Sequence, residues 1–293
     1  MRRVAVVAHT GKTVGGGLLE LRRELEEAGV SEPLWYEVPK SRKAPKQVKR
    51  ALDEGAELVF AWGGDGTVQR CIDVLAGSGV PLAIVPAGTA NLLATDLGIP
   101  DDIGGAVRTG LDGARRSIDV GRVNGERFAV MAGAGLDAVM IRDADGALKD
   151  KLGRIAYVWA GARNVREEPF RAKIKVDGTS WYEDTASCVL VGNIGRLIGG
   201  IDVFEDAKPD DGLLELGVVS ADGFVDWLRT ATRVAAGSTS KSPFFHVTRA
   251  KTIEAKLDRK VLYELDGGDR EKTKSLEIDT EPGAIEICVP VSG

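Results

Sequence analysis

Short apolar runs alternate with charged amphipathic segments in the first part of the chain. The runs predict strands and the segments predict helices, in the order strand 4–8, helix 18–28, strand 34–38, helix 45–54, strand 58–62, helix 68–76 and strand 82–85. Strands that alternate with helices in this way form a parallel sheet with helices on both faces. The pattern therefore predicts a doubly wound α/β domain.

The rhythm changes from about residue 128 onward. Short strand-like runs, separated by Gly, Pro and Asp, follow at 128–131, 171–176, 185–191, 213–220, 247–257, 261–265, 276–279 and 285–289. This spacing predicts an antiparallel β-sandwich. Two helical segments, 147–165 and 223–236, interrupt it. We place the domain boundary after residue 124, with 1–124 as the α/β domain, 125–293 as the sandwich, and the extreme C-terminus as a candidate to return to the first domain.

Composition and charge exclude several classes of function. The formal net charge of −5 argues against nucleic acid as a partner, because proteins that bind it usually show a basic footprint. Three scattered cysteines and two histidines argue against zinc and predict a reducing compartment. No window has the length needed to cross a bilayer. We therefore expect a soluble, cytoplasmic protein that could still work at a membrane surface.

A glycine-rich turn follows the first strand, in the sequence His9-Thr-Gly-Lys-Thr-Val-Gly-Gly-Gly17. A Walker A motif would need a glycine five residues before Gly11, where Val6 stands. The turn nonetheless offers backbone N–H groups close to a helix N-terminus, where anions bind. We expect Gly11 to contact phosphate, with a plain connecting loop as the alternative.

The most chemically informative segment is Gly63-Gly-Asp-Gly-Thr67, between a predicted strand and the next helix. Glycines allow phosphate oxygens to reach backbone N–H groups, so we assign Gly63, Gly64 and Gly66 to a phosphate. Asp65 would be repelled by phosphate unless a divalent cation, Mg²⁺ through water, lies between them. Thr67 can cap the helix or donate its hydroxyl to a phosphate oxygen.

A second turn of the same kind follows the next strand, in Pro86-Ala-Gly-Thr-Ala-Asn91. Gly88, Thr89 and Asn91 supply small or hydroxyl-bearing residues there. Since the carboxyl ends of parallel strands share one edge of the sheet, the two turns can converge on one ligand. Two such loops on successive strands predict a nucleotide or polyphosphate site.

GGDGT followed by PAGTAN resembles the diacylglycerol kinase catalytic-domain family, which includes soluble bacterial lipid kinases and sphingosine kinases. Further matches extend the resemblance over nearly the whole chain; they are Ile118-Asp-Val-Gly121, Gly133-Ala-Gly-Leu-Asp137, Ala207-Lys-Pro-Asp-Asp-Gly-Leu-Leu214 and Leu265-Asp-Gly267. The resemblance implies a nucleotide domain, a β-sandwich domain and an active cleft between them. It implies ATP as phosphoryl donor and a lipid alcohol, most simply diacylglycerol, as acceptor.

The resemblance also implies roles for residues of the second domain. Asp211 would bind a structural Mg²⁺ together with the carbonyls of Lys208 and Leu213; an ordinary turn is the alternative. The family has a glutamate directly after Asp-Gly, where this chain has Gly268. We therefore assign the catalytic base to Asp269, supported by Asp266, against the alternative of a plain hairpin turn. His9 stands where the family has an asparagine, and its second nucleotide-facing loop falls near Lys40-Ser41 without a clean match.

Two other functions remain open at this stage. One is an NAD kinase, which shares GGDGT, and the other is a nucleotide- or lipid-binding protein with weak catalysis. A basic amphipathic segment at residues 148–166 would place the protein transiently on an anionic membrane; the alternative is that its apolar stripe packs on the sandwich and its charges are solvated. The sequence identifies neither the lipid nor the oligomeric state. A homodimer is one of the open alternatives.

Overall fold

The structure, a computed structural model, describes residues 3–135, 169–197, 201–220 and 244–291. It divides the chain into two units: Met1–Asp119 with Gly283–Gly293, and Val120–Pro282. The predicted helices at 147–165 and 223–236, and with them the basic segment 148–166, lie outside the described residues. None of the helices in the described ranges has the length and apolar character needed to cross a lipid bilayer.

Unit 1 is a parallel sheet between helices. Its elements are β1 (Val4–His9), α1 (Gly17–Glu27), β2 (Leu34–Val38), a short 3₁₀ helix (Ser41–Lys43), α2 (Ala44–Asp53), β3 (Leu58–Gly63), α3 (Asp65–Leu75), β4 (Leu82–Pro86), α4 (Leu92–Asp96), α5 (Ile103–Asp112) and the first part of β5 (Ala114–Val123). The strand order β4-β3-β1-β2 is parallel throughout.

The two faces of this sheet have separate helical covers, because its strands are apolar on both sides. One core joins alternate residues of β1, β3 and β4 to Leu21 and Leu25 of α1 and to Ile103 and Val107 of α5. Helices α2 and α3 cover the opposite face. The carboxyl ends of β3 and β4 therefore lie side by side at one edge, and each is followed by a glycine-rich loop.

Unit 2 is antiparallel. Its strands are the rest of β5, β6 (Glu126–Phe128), β7 (Met131–Ala134), β8 (Phe170–Val176), β9 (Thr179–Ala186), β10 (Cys188–Gly192), β11 (Arg196–Leu197), β12 (Ile201–Asp202), β13 (Leu214–Val219), β14 (Phe245–Ala250), β15 (Thr252–Leu265) and most of β16 (Gly268–Val289). The order β14-β13-β10-β7-β15-β16 forms the main sheet, and β15 also pairs with β8. The α/β plus β-sandwich architecture predicted from the sequence is confirmed.

The composition change that suggested a boundary after residue 124 coincides with a hairpin turn. Asn124 and Gly125 both have positive φ, 50° and 90°, as the two central residues of a tight turn between β5 and β6 require. The last part of β16 returns to unit 1, where Ile287 pairs with Leu82 of β4 in parallel.

Candidate active site

The GGDGT loop is held in shape by the side chain of its threonine. A Cβ atom at Gly63 would lie 2.6 Å from Cβ and Oγ1 of Thr67, so only glycine fits under this side chain. Thr67 is 2% exposed, and its hydroxyl lies 2.9 Å from Oγ of Ser41. Thr67 does not cap α3, whose N-cap residue is Gly64. Ser41, which the sequence motifs did not assign, therefore belongs to this loop.

The two glycine loops touch through their backbones. A Cβ atom at Gly88 would lie 2.4 Å from Cα of Gly64, and a Cβ atom at Gly64 would lie 3.0 Å from Cα of Gly88. The backbone N–H of Ala87 also donates to the carbonyl of Gly63, at 2.9 Å. The structure thus brings together the residues of both loops, and the closeness of the contact explains why glycine is needed on each side.

Asn91 closes the second loop. Its side chain accepts a hydrogen bond from the N–H of Gly88 and donates one to the carbonyl of the same residue, both at 2.9 Å. Its backbone is left-handed, with φ of 47°, a conformation that asparagine adopts more readily than most residues. Asn91 therefore shapes the turn, while the side chain of Thr89 is exposed at its tip.

Asp65 links the first loop to the second. Its carboxylate accepts a hydrogen bond from the N–H of Leu93 at 3.4 Å. Burial raises the pKa of Asp65, and backbone N–H groups, those of Leu93, Leu92 and Asn91 among them, oppose this effect. The carboxylate is thus partly desolvated and held by dipoles at the start of α4. A nearby cation would stabilise its charged form further.

Space for an anion lies at the start of α3. A Cβ atom at Gly66 would have no heavy atom within 4 Å, and the N–H groups in the first turn of a helix have no acceptor within the helix. In the described ranges, no group of three or more His, Cys, Asp or Glu side chains is arranged to hold a metal. Asp65 by itself fits a Mg²⁺ ion that is held mainly by nucleotide phosphates, as is usual for this ion.

The glycine-rich turn after β1 is anchored by side chains, although the sequence suggested that its Gly11 contacts phosphate. The N–H of Gly11 donates to Nδ1 of His9 at 3.0 Å, and the indole N–H of Trp62 donates to the carbonyl of Lys12 at 3.1 Å. Burial, and then the charge of Lys12, lower the pKa of His9, which favours the neutral ring that can accept this bond. In this conformation the ring of His9, rather than a phosphate, accepts the hydrogen bond from the N–H of Gly11.

In unit 2, Asp266 lies at the turn between β15 and β16. Its carboxylate accepts hydrogen bonds from the backbone N–H groups of Ala129, Val130 and Met131, at 2.8, 2.9 and 2.9 Å. Its own N–H donates to the carbonyl of Met131 at 2.9 Å. Asp266 and Gly267 have φ of 47° and 75°, so they form the two-residue turn of a hairpin. These bonds fit a positioning role, holding the hairpin to the segment before β7.

Two acidic residues on either side of this turn, Glu264 and Asp269, differ in exposure. Asp269 is exposed, whereas Glu264 is 6% exposed. Burial, followed by the charges of Asp269 and Asp266, raises the pKa of Glu264 to about 8. The motifs did not single out Glu264. The signal that could have indicated it is a glutamate inside the otherwise apolar run Val261–Leu265.

The turn proposed to hold a structural metal is paired instead with an arginine of β14. The carboxylate of Asp211 accepts the N–H of Leu213 at 3.1 Å through one oxygen and pairs with Arg249 through the other. Arg249 also pairs with Glu215, at 2.7 Å. Burial raises the pKa of Glu215, while Arg249 opposes this effect. With both oxygens of Asp211 engaged, the ligand set of Asp211, Lys208 and Leu213 does not fit a metal as it stands.

We therefore expect the stability of the protein without nucleotide to be independent of Mg²⁺. Replacing Arg249 by Gln should leave Asp211 and Glu215 without their cation, lower the unfolding temperature, and make it rise when Mg²⁺ is added. Arg122→Gln is the matched control, because Arg122 also lies between two carboxylates, those of Asp279 and Glu281, at 2.8 and 3.0 Å. Thermal unfolding with EDTA or with Mg²⁺ measures this. A Mg²⁺-dependent rise in the parent protein that disappears in Asp211→Ala would contradict the expectation.

Comparison with known proteins accounts for both units. Residues 4–123 match the family described as diacylglycerol kinase catalytic domain, and residues 130–289 match the YegS C-terminal NAD kinase beta sandwich-like domain. The diacylglycerol kinase of Bacillus subtilis is 29% identical over 255 residues, which are 85% of this chain and 83% of that protein. An uncharacterized protein of Synechocystis sp. is 34% identical over 212 residues, 69% of this chain; the match spans about half, 48%, of that relative.

A solved structure shows the same likeness in three dimensions. The crystal structure of a diacylglycerol kinase from Bacillus anthracis superposes with a TM-score of 0.74 at 27% identity, covering 98% of this chain and 96% of that one. Together with the two family matches, it assigns the chain to the class of lipid kinases. Within this class the chain belongs to the diacylglycerol kinase family. The resemblance drawn from GGDGT and PAGTAN is thereby confirmed.

Proposed function

We propose that this protein is an ATP-dependent kinase that phosphorylates the hydroxyl of a lipid alcohol, with diacylglycerol, giving phosphatidic acid, as the first acceptor to test. The observation that carries the proposal is the backbone contact between Gly64 and Gly88, which joins two glycine loops at the carboxyl ends of adjacent parallel strands. Ligands bind at this edge of open α/β sheets. Membership of a lipid kinase family supplies the acceptor class.

The loops of unit 1 would hold the phosphates of ATP. Backbone N–H groups at the start of α3, where Gly64 is the N-cap residue, would donate to phosphate oxygens, because an anion is favoured at a helix N-terminus. The hydroxyl of Thr89 is exposed beside them, and that of Thr67 is held by Ser41. Mg²⁺ bound with the nucleotide would neutralise charge that develops during transfer. Asp65 would orient it through water.

The acceptor hydroxyl must lose its proton as its oxygen bonds to the γ-phosphorus. The bond between that phosphorus and the bridging oxygen of ADP breaks, and ADP leaves with the electron pair. We propose that the proton passes to the carboxylate of Asp269, which is exposed and therefore accessible to a substrate. Asp266, with three backbone N–H bonds, would hold the turn in place. The acceptor is a membrane lipid, so the protein would associate transiently with the cytoplasmic membrane surface.

The decisive experiment is incubation of the protein with labelled ATP, Mg²⁺ and mixed micelles of a total lipid extract, followed by identification of the labelled lipid. We expect label in a phospholipid, and phosphatidic acid when diacylglycerol is the only lipid supplied. A parallel reaction contains NAD in place of lipid. Label in NADP would overturn the proposal in favour of an NAD kinase. ATP binding without phosphorylation of any lipid would overturn the proposal in favour of a nucleotide-binding protein.

A further inference from the structure

Two carboxyl groups lie on one face of the β15–β16 hairpin. In this hairpin Leu265 pairs with Gly268 next to the two-residue turn, and Glu264 pairs with Asp269. Residues directly opposite each other in an antiparallel pair point to the same face, and their Cβ atoms are roughly 4.5–5.5 Å apart. The side chains of Glu264 and Asp269 are therefore neighbours, with an excess of negative charge if both are ionised.

The two carboxyl groups differ in their surroundings. On its other side Glu264 pairs with Gly133 of β7, which has no side chain to offer. Oε2 of Glu264 is buried and has no hydrogen-bond partner among the residues that the structure describes. A buried carboxylate without donors is costly, so the neutral carboxylic acid is the favoured form. Such an acid has an O–H group to donate, and the residue directly opposite, the exposed Asp269, offers an acceptor on the same face.

We propose that Glu264 and Asp269 form a carboxyl pair, in which the O–H of Glu264 donates a hydrogen bond to the exposed carboxylate of Asp269 and positions it. Glu264 is a positioning residue, since its buried oxygen acts through Asp269 and does not meet the substrate. The inference deepens the proposed function and rests on it in one respect, namely that Asp269 accepts the proton of the lipid hydroxyl.

The electrostatics agree with this geometry. Burial, then Asp269 and Asp266, raise the pKa of Glu264 to about 8, so the O–H is present at neutral pH. Among the described residues, the other titratable group facing Glu264 is Cys188 of β10, whose thiol pKa is raised by burial and by Glu264. Ionisation of Glu264 would remove the donor and place a second negative charge beside Asp269.

The pH dependence follows with a definite sign. Turnover should decline as the pH rises through about 8, the pKa of Glu264. The free energy of unfolding should also decline as the pH rises, because the pKa of Glu264 in the folded state lies above its ordinary value of 4.5. The stabilisation that comes from neutral Glu264 is complete below a pH of 4.5 and is lost as the pH rises through about 8, its pKa in the folded protein.

Three variants test the pair. Glu264→Leu keeps the bulk but has no donor, and should lower kcat about tenfold without changing KM for ATP. Glu264→Gln keeps an N–H donor that does not titrate, and should restore kcat at neutral pH and abolish the alkaline decline. Asp269→Asn removes the neighbouring charge, and should shift the loss of stability to lower pH. An alkaline decline that persists in Glu264→Gln, or turnover as low as that of Glu264→Leu, overturns the proposal.

Thermal unfolding as a function of pH, without ATP or lipid, separates this inference from the proposed function. A parent protein that loses stability toward the pKa of Glu264, beside a Glu264→Gln variant that does not, supports the pair even if no lipid is phosphorylated. In that case the proposed function fails and the pair stands. If the two proteins have the same profile, Glu264 does not carry the proton and the pair is overturned.

Discussion

Replacing Asp65 by Asn is expected to reduce lipid phosphorylation on the order of 10²–10³-fold, the usual cost of removing one preorganised electrostatic group from a transfer site. The amide oxygen can still accept the N–H of Leu93, so the link between the two glycine loops should survive. The negative charge and one of the two acceptor oxygens are lost, and with the charge the means of orienting Mg²⁺. Steady-state turnover with diacylglycerol, together with ATP binding by calorimetry, measures the two effects separately.

A matched control lies on the same helix. Asp73→Asn makes the identical chemical change about two turns further along α3, away from the loops, and should leave turnover within a few-fold of the parent. If Asp65→Asn turns over lipid like the parent protein, Asp65 has no part in catalysis. If it loses ATP binding and unfolds at a lower temperature, the carboxylate serves mainly to join the loops.

Replacing Asp266 by Ala is expected to have the largest effect on stability. Three backbone N–H groups would lose a charged acceptor in a buried setting, where each such bond contributes about 1.5–3 kcal/mol. The summed loss of about 4 kcal/mol or more is a large part of the roughly 5–15 kcal/mol that stabilises a typical protein. Chemical denaturation should therefore show unit 2 unfolding at much lower denaturant concentration.

Two further variants make this result specific. Asp266→Asn keeps a residue that tolerates the left-handed backbone, with φ of 47°, but offers one acceptor oxygen in place of two. It should lose an intermediate amount of stability. Glu271→Gln, five residues along the same hairpin, removes an exposed carboxylate outside the carboxyl pair and should change stability by less than about 0.5 kcal/mol. A fully stable but inactive Asp266→Asn would indicate that Asp266 touches the substrate, contrary to the positioning role.

The α/β unit was the more predictable part of the fold. Strands β1, β3 and β4 are buried on both faces, so they are continuous apolar runs with recognisable ends. Helix α5 was not predicted, because Ile103–Asp112 contains three glycines, which disfavour a helix. A Cβ atom at Gly110 would lie 2.4 Å from the ring of Phe60. That glycine thus permits close packing on β3, a reason that only the folded structure reveals.

Long-range contacts explain the errors in the second unit. The run 247–257 was predicted as one strand, but β14 ends at Ala250 and β15 begins at Thr252. The N–H groups of Lys251 and Thr252 donate to the carboxylate of Asp177, at 3.0 and 2.8 Å. No local pattern could indicate this break, since its cause lies far away in the sequence.

The candidate site likewise has local features, which the sequence predicts, and long-range contacts, which it does not. Glycine loops at strand ends are local features, and the structure brings GGDGT and PAGTAN together. The protonation of Glu264 depends on strands formed by distant segments, so the motif could not suggest it. Asp211 was assigned to a metal because its turn offers suitable oxygens, but Arg249, which pairs with it, is remote in sequence. Local chemistry could be read from the sequence, whereas the partner of each charge could not.

The return of β16 to unit 1 bears on how the protein is made. Residues 283–289 complete the N-terminal unit, where the carbonyl of Ala284 accepts the N–H of Gly77, and the N–H of Gly283 donates to Asp119, both at 2.8 Å. On the ribosome, the edge of β4 stays unpaired while the whole of unit 2 is translated, and an open strand edge invites association with other chains. Nucleotide-binding capacity should therefore arise only after unit 2 has been translated, once residues 283–289 have left the exit tunnel.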